Sequence, residues 1–166
     1  MMNDLPRSKF SQEYEYLDQD NKSYRKTSFS IIKHTTYSKT EDAIDVANRL
    51  ERLKHDKFSG RIKVPYFEFK LEDNNLTIQS KYIKGRPLVK EEMKHIYENI
   101  VCRTNPWTFL DCNPDNFVVD DHKLHFDGKA LIYIVDLDSY KKCDKEEREK
   151  RWAKNSTNFR SYRVDI

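Results

Sequence analysis

Apolar and polar residues alternate through much of the first 36 positions, in "FSQEYEYL", "SYRKTSF" and "SIIKHT", with the polar run "DQDNKS" between the first two. A period of two sends one side of each run to a buried face, so the pattern predicts two or three antiparallel strands. The period then changes. In "YSKTEDAIDVANRLERLKH" the residues Ile44, Ala47, Leu50 and Leu53 recur at every third position. That spacing predicts a helix with one buried face, opened by a side-chain oxygen of Ser38 or Thr40. "KFSGRIKVP" carries breakers at both ends, and "YFEFKLEDNNLTIQSKYI" reads as two more strands around a turn at Asp73 to Asn75. A sheet of about five strands is expected.

Beyond "KGRPL", the spacing of Val89, Met93, Ile96, Tyr97 and Ile100 predicts a second amphipathic helix. The polar stretch "WTFLDCNPDNFVVDD" follows. Its tail "FVVDD" and the later "KALIYIVDLD" are apolar runs on either side of the turn-like "HKLHFDG", which predicts a hairpin. The last 26 positions open as a charged helix and become irregular and basic. The order of strands, helix, strands, linker, helix, polar loop, hairpin and helix predicts an α+β fold.

Composition narrows the class. The 166 residues suffice for about one domain. Charged residues make up 36% and mean hydropathy is −0.95, yet 10 Tyr and 9 Phe supply bulky core material, so the chain is expected to fold. The 31 basic residues nearly offset 28 acidic ones, and a net charge of +3 argues against nucleic acid as a partner. In the tail, Arg148, Lys150, Arg151, Lys154, Arg160 and Arg163 alternate with acids and read as a solvated helix, with Trp152 packed on the body of the protein. The three cysteines, Cys102, Cys112 and Cys143, have no metal-ligand spacing and fit reduced thiols. No stretch has signal-peptide or membrane-spanning character, so a cytoplasmic protein without membrane association is expected.

The polar stretch admits three readings. Asp111, Asn113 and Asp115 alternate as the first oxygens of a calcium loop do, but Asn116 stands where that loop needs glycine, Pro114 lies inside it, and its twelfth position is His122. The calcium reading fails on those groups. A plain surface turn is the second reading, because Asn, Pro and Asp are common turn formers. The third is a phosphotransferase loop, since a hairpin returns the acidic step of "IYIVDLDSY" to the same mouth. Phosphoryl transfer needs a carboxylate near the attacking hydroxyl, and a second carboxylate with an amide to hold magnesium against the phosphates.

"LDCNPDN" followed by "IVDLD" resembles the catalytic and metal-binding motifs of the protein-kinase-like superfamily, especially its aminoglycoside and choline kinase branch. The resemblance implies a two-lobed fold forming one kinase-like domain: an N-terminal lobe over residues 1–84, an antiparallel sheet with one helix, and a reduced helical C-terminal lobe over 85–166 with a catalytic-loop hairpin. It implies Asp111 as the catalytic aspartate, Asn116 and Asp136 as metal ligands, and Asp138 as a further acidic residue of the metal site. "SIIKH" resembles the strand whose lysine, here Lys33, steadies the α- and β-phosphates, with Asp45, or else Glu41, as its acidic partner. "SKYIKGRPL" resembles the hinge whose backbone, at Tyr82 and Ile83, pairs with adenine. The implied cofactors are ATP and Mg²⁺ or Mn²⁺, and the implied reaction is γ-phosphoryl transfer to a hydroxyl. Asn113 stands where protein kinases carry lysine, which points to a small-molecule acceptor rather than a protein.

Three departures qualify the resemblance. No glycine precedes Gly60, so Asn21 and Ser23 in "DQDNKS" would supply the close approach that a glycine-rich loop gives. Phe109 replaces the histidine found in most relatives. Few residues follow Asp136, so either the charged tail grips the substrate, or a homo-oligomer or partner chain completes the site, or catalysis is lost. The last case is a pseudokinase serving as a nucleotide-binding or scaffolding module. Nucleotidyl transfer on the same fold is a third function.

Overall fold

The computed structural model describes residues 14–17 and 22–162, with side chains over residues 22–157. In chain order its strands are β1 (Tyr14–Leu17), β2 (Lys22–Lys26), β3 (Ser30–Thr36), β4 (Ile62–Lys63), β5 (Phe67–Glu72), β6 (Asn75–Lys81), β7 (Trp107–Phe109), β8 (Phe117–Leu124), β9 (Ala130–Ile134) and β10 (Tyr140–Lys142). The helices are α1 (Thr40–Leu53), α2 (Lys90–Ile96) and α3 (Lys145–Tyr162). The architecture is mixed α+β, and no described helix is long and apolar enough to cross a membrane. Two compact units form, one from Met1–Lys54 and Pro65–Ile83, the other from His55–Val64 and Lys84–Ile166. Residues 55–64, expected in the N-terminal lobe, thus belong to the second unit.

The first unit is a five-stranded sheet in the order β1-β2-β3-β6-β5, antiparallel throughout. Alternation sets its buried face: Leu76 and Ile78, two apart on β6, are buried with Phe67 of β5. Helix α1 packs on β5 and β6 through Ala43, Val46, Leu50 and Leu53, while Ile44 is 44% exposed. The strict three-residue spacing expected for the stripe fails for a geometric reason. At about 100° per residue, nine residues from Ile44 to Leu53 turn the helix by a net half circle, whereas the observed 3-4-3 spacing stays within roughly 80°. Neither Ser38 nor Thr40 caps the helix; the N-cap is Lys39, with extended backbone and no side-chain bond. Asp73, at φ 57°, makes the left-handed turn between β5 and β6, and Asn74 binds the Tyr37 carbonyl through Nδ2 at 2.5 Å.

The second unit contains a three-stranded sheet, β4-β9-β8, and a separate β10-β7 pair. Strand β4 runs parallel to β9, with Ile62 opposite Ile132, both buried. Helix α2 begins where the Glu92 carboxylate accepts the Val89 amide at 2.9 Å, and it continues as a π-helical stretch, Tyr97–Val101. Its apolar face places Met93, Ile96 and Ile100 in the core, each contributing about 1.5–3 kcal/mol by burial.

Two charged clusters organise this unit. Glu92, buried, is shared by Arg86 (2.8 Å) and Arg61 (3.5 Å); Arg86 also grips Asp121 of β8 at 2.7 Å, and Arg61 donates to the Ala130 carbonyl of β9 at 3.0 Å. The β8–β9 hairpin is thereby clamped to the start of α2. The second cluster corrects the expectation of a wholly solvated α3. Arg148 is 1% exposed and donates to the carbonyls of Val101 (3.0 Å), Cys143 (2.7 Å) and Arg103 (2.7 Å). Two of these acceptors lie at the C-terminal end of the π-helical stretch, where carbonyls lack intrahelical donors and a positive charge is favoured. Trp152 is buried on the same helix, as expected.

Gly85 lies where two backbones meet. The Arg86 amide donates to the Val119 carbonyl at 2.9 Å and the Val119 amide to the Arg86 carbonyl at 2.8 Å. A β-carbon on residue 85 would stand 2.1 Å from the Val119 carbonyl oxygen and 2.8 Å from Val118 Cγ1. Gly85→Ala is expected to destabilise the protein by about 3 kcal/mol, read as a lower urea midpoint. An unchanged midpoint would mean that this contact relaxes without cost.

Candidate active site

The polar stretch is built by its own side chains. The Asn113 carboxamide oxygen accepts the Asp115 amide at 3.0 Å, Pro114 opens a single 3-10 turn over Pro114–Asn116, and the Asn116 amide closes it on the Asn113 carbonyl at 2.8 Å. Asn116 is then turned back on the start of the loop. Its Nδ2 donates to Asp111 Oδ2 at 3.2 Å and to the Asp111 carbonyl at 3.1 Å, which leaves Oδ1 without a hydrogen-bond partner among the described residues.

The hairpin supplies the other half. Phe117 stands opposite Ile134, and the Val135 amide donates to the Asn116 carbonyl at 2.9 Å. Asn116 and Asp136 therefore flank the same end of the antiparallel β8–β9 pair, and Asp136 leads into the 3-10 turn Leu137–Ser139 that carries Asp138. The Leu110 amide donates to the Ser139 carbonyl at 3.2 Å, a direct link between the segments on either side of the site. Asp111, Asn116, Asp136 and Asp138 are all partly buried.

The donor chemistry fits magnesium or manganese. Asn116 presents an amide oxygen rather than its nitrogen, and the neighbouring acidic groups are carboxylates, the hard ligands those ions take. Among the described residues no three His, Cys, Asp or Glu side chains group as a metal site; the donor set that the resemblance implies is one amide with one or two carboxylates. That is the number used when nucleotide phosphates complete the coordination. Cys112, beside Asp111, is unsuited to nucleophilic work: burial, reinforced by Cys143, pushes its thiol up to about 12.

Residues of the first unit are placed as follows. Lys33 lies on β3 between Tyr24 of β2 and Ile78 of β6, its Nζ 5.6 Å from the Tyr24 ring centre. Asp45 is exposed on α1 and pairs with Arg49 at 3.1 Å rather than with Lys33, and Glu41 is also exposed. The side of α1 that packs on the sheet carries Ala43, Val46, Leu50 and Leu53. The Tyr82 amide already donates to the Phe29 carbonyl at 2.8 Å, so that donor is not open to adenine; Ile83 is buried. Ser23 sits on β2 opposite His34, and Asn21 lies outside the described residues.

Sequence reasoning missed the supports around the loop. Asp56 receives a fork from Arg103 (2.8 and 3.3 Å) and the Tyr140 hydroxyl at 2.5 Å. Burial raises its pKa, but the bonds from Arg103 and Tyr140 outweigh that and hold it below the ordinary aspartate value. Its segment, "HDKFSG", has no periodicity that would mark it.

No protein-family model matches the chain, and no curated protein matches it. A solved structure described as "WaaP in complex with acyl carrier protein" is similar to it at 12% identity and a TM-score of 0.49, over 86% of this chain and 68% of that chain, a likeness too slight to assign a residue or an activity.

Proposed function

We propose that the protein is a phosphotransferase that uses ATP with Mg²⁺ or Mn²⁺ and moves the γ-phosphoryl group to a hydroxyl of a small-molecule acceptor, releasing ADP and a proton. One observation supports the reading: Asn116 is bonded through its side chain to Asp111 and accepts the Val135 amide on its backbone carbonyl, next in sequence to Asp136. In the proposed reaction Asp111 orients the acceptor hydroxyl and takes up its proton as the new ester bond forms. Asn116 holds Asp111 in place through Nδ2, so that one side chain serves both the proton acceptor and the metal. Asn116 and Asp136, with Asp138 nearby, would hold the cation, whose chemistry is to neutralise charge on the phosphates. Lys33, Ser23, Tyr82 and Ile83 lie in the first unit, and nothing in the proposal rests on them.

Thermal unfolding with ATP, with and without Mg²⁺ or Mn²⁺, tests the site. At a hundredfold excess over Kd, metal-dependent stabilisation of about 5 °C is expected, and Asp136→Ala is expected to abolish it. Absence of any shift at millimolar nucleotide would refute the reading, together with the nucleotidyl-transfer and nucleotide-binding alternatives.

A further inference from the structure

Both loops of the candidate site are short excursions from the β7–β10 pair. Strand β7 ends at Phe109, two residues before Asp111, and β10 begins at Tyr140, two residues after Asp138. The pair has only three registered positions, Tyr140 with Phe109, Lys141 with Thr108 and Lys142 with Trp107. A two-stranded ribbon of that length has little stability of its own, so its spacing must be imposed from outside.

Asp56 stands where that could be done. One of its oxygens accepts the Tyr140 hydroxyl, at the first residue of β10, and both engage the Arg103 guanidinium. Arg103 in turn donates to the Trp107 carbonyl, at the first residue of β7, at 2.7 Å. The Asp56 and Arg103 side chains are only 11% and 14% exposed. Aromatic rings enclose them: Phe58 lies under Arg103 at 4.1 Å and 5.5 Å from the Phe109 ring, and Tyr140 lies 5.4 Å from Phe109 and 5.7 Å from Trp107. Exclusion of water strengthens charge-assisted bonds of this kind.

We propose that Asp56 is a positioning residue that fixes the separation of the loops carrying Asp111 and Asp136, by holding β10 directly through Tyr140 and β7 through Arg103. The meaning for catalysis rests on the phosphotransferase reading; the mechanical claim does not. Asp56 touches neither substrate nor metal in this scheme. Its effect falls on the Leu110-to-Ser139 bond, which lies one residue beyond the Phe109–Tyr140 register of the pair.

Hydrogen exchange of the full chain without ligand tests the mechanical claim. In Asp56→Asn the Leu110 amide is expected to exchange about tenfold faster or more, and the Val135 amide to follow it, while Val119 and Ile132 on the β8–β9 pair keep their protection. Tyr140→Phe removes one bond and spares the Arg103 fork, so it serves if Asp56→Asn does not fold, with a smaller acceleration at the same amides. Leu88→Ala, a core cavity at a buried residue outside β7 and β10 in sequence, should accelerate no such local set. Unchanged Leu110 exchange in either folded variant, or equal acceleration in Leu88→Ala, would overturn the proposal.

Mn²⁺–ATP titration then separates this claim from the functional one. Weakening by about tenfold in Asp56→Asn, with loosened loops, is the expected result. Loosened loops in a protein whose parent binds no metal–nucleotide would sink the phosphotransferase reading and leave the positioning role intact. Loosened loops with unchanged affinity would restrict Asp56 to a structural role and overturn its part in positioning the site.

Discussion

Arg148→Ala is expected to lower the thermal midpoint by about 10 °C, corresponding to roughly 3–5 kcal/mol. The guanidinium is almost wholly buried, and its truncation strands the carbonyls of Val101, Cys143 and Arg103 in the interior. Each buried acceptor left without a donor costs about 1–3 kcal/mol, and the cavity adds to the loss. Lysine is not expected to rescue the site, because a single ammonium cannot reproduce a planar fork directed at three separate acceptors. Arg151 on the same helix supplies the contrast. It is exposed and meets Glu147 at 3.7 Å, so Arg151→Ala should stay within about 0.5 kcal/mol of the parent. A midpoint for Arg148→Ala within 2 °C of the parent, on the order of 1 kcal/mol or less, would show that solvent reaches the three carbonyls.

Asp111→Asn is expected to slow phosphoryl transfer from γ-labelled ATP by about 10²–10⁴-fold while metal–nucleotide affinity changes only severalfold. The substituted amide oxygen can still accept from Asn116 Nδ2, so the geometry of the loop survives and what is lost is the group that takes the proton. Equal rates in parent and variant would remove Asp111 from the reaction. The position of the label decides between chemistries: transfer of γ-label supports phosphotransfer, transfer of α-label would replace it with nucleotidyl transfer, and binding without either product would favour the pseudokinase.

The elements that were legible in sequence are those whose periodic pattern runs over six or seven residues. Alternation exposed β3, β5 and β6, and the spacing of Met93, Ile96 and Ile100 exposed α2, because burial of a repeated face is itself the signal. Strands β4, β7 and β10, of two or three residues, are too short to show a period, and they exist through partners distant in sequence. The turn at Asn113 to Asn116 was legible as a motif, since local side-chain bonds build it. Asp56, Arg61 and Arg148 were not, because a buried ionic side chain looks like any surface charge until its acceptors are known. Asp45, named from the leucine spacing of the resembling family, is exposed and pairs with Arg49, because which acid of α1 approaches β3 depends on the helix's rotation.

The passage of the backbone between the two units has a practical corollary for dissection. The polypeptide changes unit at Lys54, again at Val64 and once more at Ile83, so no single scission separates intact halves. A fragment starting at Lys84 would forfeit β4, the Asp56 carboxylate and the Arg61 guanidinium together, leaving Glu92 with one cation instead of two. Exchange of the second unit would have to carry the ten-residue 55–64 segment along, and exchange of the first would have to leave it behind.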